Sequence, residues 1–308
     1  MTDLRTVVVA LDFSPSSRAA LESAMLLAER SGATLHLLHA DVLFRSSGDG
    51  APPDGAPSST LRVRVERFAR DTLPELDSLD LQIAVVRDVS PSSAILRYVS
   101  EVSADLLVMG THGRSGLSRL LMGSVAGACV AASPCPVFTV PLDADALDVA
   151  APILVAIDFS ERSGVALAAG HALADLMGST VELVHVVRDA GPYPGFAPNI
   201  LSLIDYDPEQ GKAVQERVLR FVERHPGPAP AAIHVSIGSP SRVIAALAAE
   251  RGTGVIVMGT HGRDGVAHAL IGSVAEATLR RAPCAVLTLK EETRLAAPEG
   301  SVSSMTVS

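Results

Sequence analysis

Two stretches gather residues whose types and spacing suit ligand chemistry: MGTHGRSGLSRLLMGS, Met109–Ser124, and MGTHGRDGVAHALIGS, Met258–Ser273. Glycine permits positive φ and lets a backbone approach a ligand closely. Converging N–H groups form an anion-binding concavity, and a helix N-terminus adds its dipole. Gly110 with Gly113, and Gly259 with Gly262, would shape such a loop after an apolar strand. Gly123-Ser124 and Gly272-Ser273 would open the next helix. The nine residues between would arch over and return, so two backbone segments grip one polyphosphate. Arg114 and Arg263 bring positive charge to the same place, and Ser124 and Ser273 bring hydroxyls. A single G-x-x-G is weak, because many strand-to-helix loops contain one. G-x-x-G-x9-G-S, present twice with identical spacing, is far more specific.

Other polar residues allow competing readings. Asp12 and Asp158 end strands; they cap the following helix, or they bond ribose hydroxyls or help hold Mg2+. His112 and His261 face solvent or a phosphate. His39 and His185, inside strands, are better read as packed or bonded to backbone. His36 and His39 point to opposite faces of a strand, which argues against a shared metal. Ser115 is not a hydrolase nucleophile: G-x-S-x-G is absent, and Asp264 replaces it in the second stretch. Lys212 and Lys290 are the only lysines and neither precedes Ser or Thr, which excludes a Walker-type loop. No Ser-His-Asp or paired-carboxylate constellation emerges, so no catalytic residue is assigned.

The net charge of −9 is shared almost evenly between the halves, with no basic face. Nucleic-acid and membrane surfaces are therefore disfavoured as partners. Cys129, Cys135 and Cys284 make neither a disulfide framework nor a zinc pattern and read as buried apolar residues in a reducing compartment. The opening apolar run is too short for a signal segment, and no run approaches a membrane span. A cytoplasmic protein is expected.

The elements that must position these residues repeat. TVVVALDFSPSSRAALESAMLLAERSGATLHLLHA, from Thr6, matches PILVAIDFSERSGVALAAGHALADLMGSTVELVHV, from Pro152. Asp12 and Asp158 are 146 apart, and the glycine stretches 149 apart, so the chain is a duplication. Each copy reads as strand, helix, strand, a segment ending in a helix, then strand, helix, strand, helix, strand. In the first, TVVVAL is a buried strand, Ser14-Pro15 starts a helix that Gly32 ends, and TLHLLHA is the second strand. Residues 44–59 read as a mobile loop and Leu61–Leu73 as a helix. LQIAVVR, a helix from Ser92, DLLVMG, a helix from Gly123 and PVFTV complete the copy. Such alternation predicts parallel βαβ units, which bind ligands beyond the carboxyl ends of their strands. The expected layout is domain 1 over 1–141, a linker over 142–150, domain 2 over 151–290 and a disordered tail over 291–308.

At this point the chain resembles a tandem universal stress protein of the ATP-binding subgroup, whose marker is G-x-x-G-x9-G-(S/T). The resemblance implies two tandem open five-stranded parallel-sheet α/β domains, Rossmann-like and of the adenine nucleotide alpha hydrolase-like type. It implies one nucleotide site per copy: Ala10, Leu11, Asp12, Ala40, Met109, Gly110, His112, Gly113, Arg114, Gly123, Ser124 and Val125 in the first. The second would use Ala156, Ile157, Asp158, Val186, Met258, Gly259, His261, Gly262, Arg263, Gly272, Ser273 and Val274. Adenine would meet backbone at Ala40 and Val186. Phe13 and Phe159 stand where the family often has Gly, and Val89 stands where the second copy has Gly238. The last strands, CPVFTV and CAVLTL, would pair antiparallel into an intramolecular pseudo-dimer, with a homodimer of chains beyond it. The implied function is a non-enzymatic stress-response regulator or sensor that binds ATP, with or without Mg2+. The alternatives are a nucleotide-independent adaptor, or a slow ATPase that phosphorylates itself at Ser124 and Ser273.

Overall fold

The computed structural model describes residues 4–42, 58–73, 79–111, 122–142, 147–188, 201–261 and 271–290. The first half runs β1 (Thr6–Ala10), α1 (Pro15–Ser31), β2 (Thr34–Val42), α2 (Ser58–Thr72), β3 (Leu81–Asp88), α3 (Pro91–Glu101), β4 (Leu106–Gly110), α4 (Ser124–Ala132) and β5 (Val137–Val140). The second runs β6 (Ile153–Ala156), α5 (Glu161–Met177), β7 (Val181–Val187), β8 (Leu201–Ser202), α6 (Leu203–Tyr206), α7 (Pro208–Glu223), β9 (Ala232–Ile237), α8 (Pro240–Arg251), β10 (Val255–Gly259), α9 (Ser273–Leu279) and β11 (Ala285–Leu289).

Local chemistry sets the ends of the first helix of each copy. Ser14 Oγ accepts from Ser17 N ahead of Pro15, and Gly32 closes α1 in the left-handed region at φ 71°. Ser160 and Gly178 do the same for α5. Ser58 and Ser59, expected in the loop, belong to α2, which therefore starts earlier than Leu61. The rest of that loop, residues 143–146 of the linker, residues 189–200 and the tail lie outside the described residues.

All the described strands form one sheet, in the order β3-β2-β1-β4-β5-β11-β10-β6-β7-β9-β8. The halves meet where β5 and β11 pair antiparallel, with Leu287 opposite Phe138 and Val286 opposite Thr139. Thr139 Oγ1 donates to Val286 O and Thr288 Oγ1 to Val137 O, each at 3.2 Å, so the seam satisfies its own hydroxyls. This is the expected pseudo-dimer. The second half departs from five parallel strands: β8 adds a sixth, antiparallel to β9. It leads into α6, whose Leu203 is buried. At Gly211, in the first turn of α7, a Cβ would lie 2.6 Å from Ile204 Cα, so only glycine admits the close approach of these helices.

The third-helix turn also differs from the sequence match. Ala40 pairs with Val86 in the first copy, whereas Val186 pairs with Ser236 in the second. Pro91 and Pro240 then open α3 and α8, so the second turn is one residue shorter. Gly238, at φ 137°, makes the shorter turn and matches Asp88, the last residue of β3, and not Val89.

One apolar layer lies on the side of the first helices, with Leu21, Leu27, Leu167 and Leu173, and extends across the seam through Phe138 and Leu287. The other holds Ile95, Val99, Ile244, Leu247 and all three cysteines. Burial pushes the Cys129, Cys135 and Cys284 thiols up to about 12, 11 and 12 respectively, so they stay protonated and inert. Among the described residues, no helix is long and apolar enough to cross a membrane.

Candidate functional site

Beyond the carboxyl ends of β10, β6 and β7 lies a cavity of about 370 Å³, within the size range of small-molecule sites. Because β6 stands between its neighbours, the lining changes across the sheet. Met258, Gly259, Thr260 and His261 come from β10 and the loop beyond it, and Ile271, Gly272, Ser273, Val274 and Ala275 return from that loop into α9. Ala156, Ile157 and Asp158 come from β6. Val184 and Val186 come from β7 and Arg188 from just beyond its end, with Pro240 and Ile244 of α8 opposite. One side is thus polar backbone and hydroxyls, the middle carries a carboxylate, and the other side is an apolar trough.

The glycines work here by close approach, since neither Gly110, Gly259 nor Gly272 has positive φ. A Cβ on Gly110 would lie 2.0 Å from Ser16 Oγ and 2.9 Å from Ser16 C; one on Gly259 would lie 3.2 Å from Arg162 Cβ. A Cβ on Gly272 would sit 2.9 Å from Thr260 O. That contact accompanies a bond: Gly272 N donates to Thr260 O at 2.8 Å, and Gly123 N to Thr111 O at 2.8 Å. Thr111 N and Thr260 N in turn donate to Val140 O and Leu289 O, at 3.0 and 2.9 Å. Both ends of each glycine loop are therefore fastened, to each other and to a seam strand.

Asp12 and Asp158 are not the N-caps, which are Ser14 and Ser160. Their Oδ1 atoms accept from the N–H of those serines at 3.0 Å. Ser163 Oγ donates to Asp158 Oδ1 at 2.6 Å and accepts from Asp158 N at 2.9 Å. Ser17 holds Asp12 in the same two-handed way. The next residues, Phe13 and Phe159, occupy the left-handed region at φ 67° and 66°, a conformation that costs a residue with a side chain about 1–2 kcal/mol.

Packing offsets that strain. Phe13 lies on His39, with ring centroids 4.6 Å apart, and meets Phe68 edge-on; Phe159 lies on His185 at 4.3 Å and meets Phe221 likewise. Arg64 and Arg217 cover the two phenylalanines at 4.3 and 4.2 Å. Both of these histidines bond backbone through Nδ1, His39 to Leu11 O at 2.7 Å and His185 to Ile157 O at 2.8 Å. A carbonyl can only accept, so Nδ1 carries the proton. The packed, backbone-bonded state of His39 and His185 is the one expected; the phenylalanine and arginine stacks, and Ser17 and Ser163, escaped sequence reasoning, although their recurrence in both copies was a usable signal.

Of the expected site residues in the second copy, Ala156, Ile157, Asp158, Val186, Met258, Gly259, His261, Gly272, Ser273 and Val274 converge on the cavity. Gly262 and Arg263 lie outside the described residues, as do His112, Gly113 and Arg114. Ala10, Leu11, Asp12, Ala40, Met109, Gly110, Gly123, Ser124 and Val125 hold matching places around β1, β2, β4 and α4. His261 Nδ1 lies 3.1 Å from Thr260 Oγ1, while its Nε2 is buried with no hydrogen-bond partner among the described residues. Sequence reasoning did not single out Val184, Arg188, Pro240, Ile244 or Ile271. Strand alternation from Val186 and the i, i+4 step from Pro240 would have found most of them. His36 and His39 do face opposite ways, His36 bonding Tyr98 Oη at 2.8 Å. No group of three or more potential metal ligands occurs among the described residues.

Known proteins place this architecture. The family model for the universal stress protein family matches residues 3–141 and again 151–290. The universal stress protein Rv2005c of Mycobacterium tuberculosis is 32% identical over 196 residues, which are 61% of this chain and 62% of that relative's length. Rv2623 of the same organism is 27% identical over 301 residues, covering 92% of this chain and 96% of its own. Among solved structures, PA1789 of Pseudomonas aeruginosa, of unknown function, superposes with a TM-score of 0.68 at 19% identity, covering 94% of this chain and 93% of its own. A universal stress protein from Archaeoglobus fulgidus gives 0.60 at 21% identity, covering 92% and 98%. With the family's domain matched twice along its length, the chain belongs to the universal stress protein family.

Proposed function

We propose that each copy binds an adenine nucleotide, ATP foremost, and that occupancy of the sites is the signal a stress response reads. The graded lining of the second cavity carries this reading. The apolar trough of Val184, Val186 and Ile244 suits a base. Asp158, in the middle, repels anions and accepts from neutral donors such as ribose hydroxyls. The Thr260–His261 and Gly272–Ser273 side offers the His261 and Ser273 backbone N–H groups, two hydroxyls and the buried His261 Nε2, which has no partner among the described residues, to a polyphosphate. Arg263, next to Gly262 in sequence, would add charge at that end, and Mg2+ would accompany the phosphates. Thr260 and Ser273 supply hydroxyls for binding, and the proposal stops at binding without turnover. The free, buried thiols suit a cytoplasmic protein; a homodimer of chains is carried over from the resemblance.

Denaturing the purified protein and separating the released small molecules should yield an adenine nucleotide, and titration calorimetry with ATP–Mg2+ should show binding. Gly272→Ala pushes a Cβ toward Thr260 O and should weaken the second site by about tenfold or more, equivalent to about 1.4 kcal/mol. No heat at high protein concentration would sink the reading.

A further inference from the structure

The two copies match closely at their sites, and one lining position changes chemistry. Every lining residue of the second cavity other than Arg188 has an identical or apolar-for-apolar counterpart in the first copy; Arg188 corresponds to Val42. The neighbourhood has changed with it. In the first copy Arg87 pairs with Asp41 at 2.7 Å and Arg97 with Asp88 at 3.0 Å, closing that strand edge with compensated charge. The positions that match them in the second copy are Ile237, Val187, Gly238 and Ala246, all without charge.

Val184 and Val186 on β7, and Arg188 one residue past its end, alternate onto the cavity side. Arg188 therefore stands at the outer end of the apolar trough. It is two strands from β10, about 10 Å at the usual strand spacing, so it belongs to the trough end of the site and not to the Thr260–Ser273 end. We infer that Arg188 determines specificity in the second site: its guanidinium covers the base of a bound purine nucleotide and makes this site the tighter of the two. A planar guanidinium stacks on an aromatic face, an interaction Val42 cannot supply. This rests on the nucleotide reading above.

Calorimetry of the full chain with ATP and with adenosine separates the two ideas. The wild type should show two classes of site. Arg188→Val should weaken the tighter class by roughly 2- to 30-fold for both ligands, and Val42→Arg should strengthen the weaker class. Arg188 is exposed, so its replacement should leave the melting temperature unchanged. Tight ATP binding that Arg188→Val leaves unaltered would overturn the inference while keeping the nucleotide reading. A loss seen with ATP but not adenosine would also overturn it, since the guanidinium would then be acting on phosphate. No binding of either ligand by the wild type would remove both ideas.

Discussion

The two halves of the chain agree where they present backbone and carboxylate to a site and diverge along the outer strands. In both, a serine grips the strand-end aspartate, a phenylalanine holds the left-handed turn, and a buried histidine fixes the preceding carbonyl. In both, a glycine N–H ties the loop's return to a threonine carbonyl. The edges share none of this. The first is trimmed by ion pairs and a His36–Tyr98 bond, the second by the Glu182–His234–Arg251 network, an extra strand and a shorter turn. A strained turn tolerates little change, because several contacts must all hold it. An edge exposed on one side can be rebuilt by many residue sets.

The largest test bears on what the halves share. Phe138 and Leu287 face each other across the seam, both fully buried. Phe138→Ala should cost about 3–5 kcal/mol. Because one sheet runs through both halves, the fluorescence-independent signals of each half, such as hydrogen exchange in β1 and in β6, should weaken together. Loss of protection confined to the first half would show that the seam joins two independently stable units.

Much of this was legible in the sequence because duplication supplies its own control. Gly32, Ser14-Pro15 and the apolar runs gave α1 and its flanking strands, and the pairing of the terminal strands was implied by the family resemblance. What escaped depends on long-range geometry. Leu201–Ser202 is too short for period-2 patterning to register, and its strand exists because Leu203 finds a buried place behind it. The Phe13 turn was unreadable locally, since phenylalanine disfavours the conformation that His39 and Arg64 stabilise from elsewhere. The glycine spacing pointed to a loop, but whether Gly110 serves by φ or by contact is decided by Ser16, far back in the chain.

That last point gives a sharper contrast between the copies. Gly110→Ala would drive a Cβ into the backbone of Ser16, whereas the nearest atoms to one at Gly259 are Arg162 Cβ at 3.2 Å and His261 O at 3.4 Å. Overpacking of this kind costs typically 1–3 kcal/mol. Gly110→Ala should fall near the upper end and Gly259→Ala at about 1 kcal/mol or less, read from urea midpoints. Equal losses would mean that α5 presses on its glycine as hard as α1 does.

The smallest effect concerns the divergent edges and is read by pH. Matching positions hold His36 in the first copy and Glu182 in the second. Burial holds His36 below its ordinary 6.5, partly offset by Asp80. The unfolded chain then binds the proton first, and this position loses stability as pH falls below 6.5. Burial pushes Glu182 up, but hydrogen bonds from Arg251 and His234 outweigh it and leave its carboxyl below the ordinary 4.5. Its contribution is intact above 4.5 and disappears only as pH falls through the lowered value. His36→Gln should therefore flatten the fall in urea midpoint between about pH 6.5 and 5.5, by less than about 1 kcal/mol. Glu182→Gln should flatten the fall below about pH 4.5. His171, also held low by burial, acts in both variants alike and cancels from the comparison. If His36→Gln keeps the wild-type slope above pH 5.5, the acid response of the first edge comes from another group.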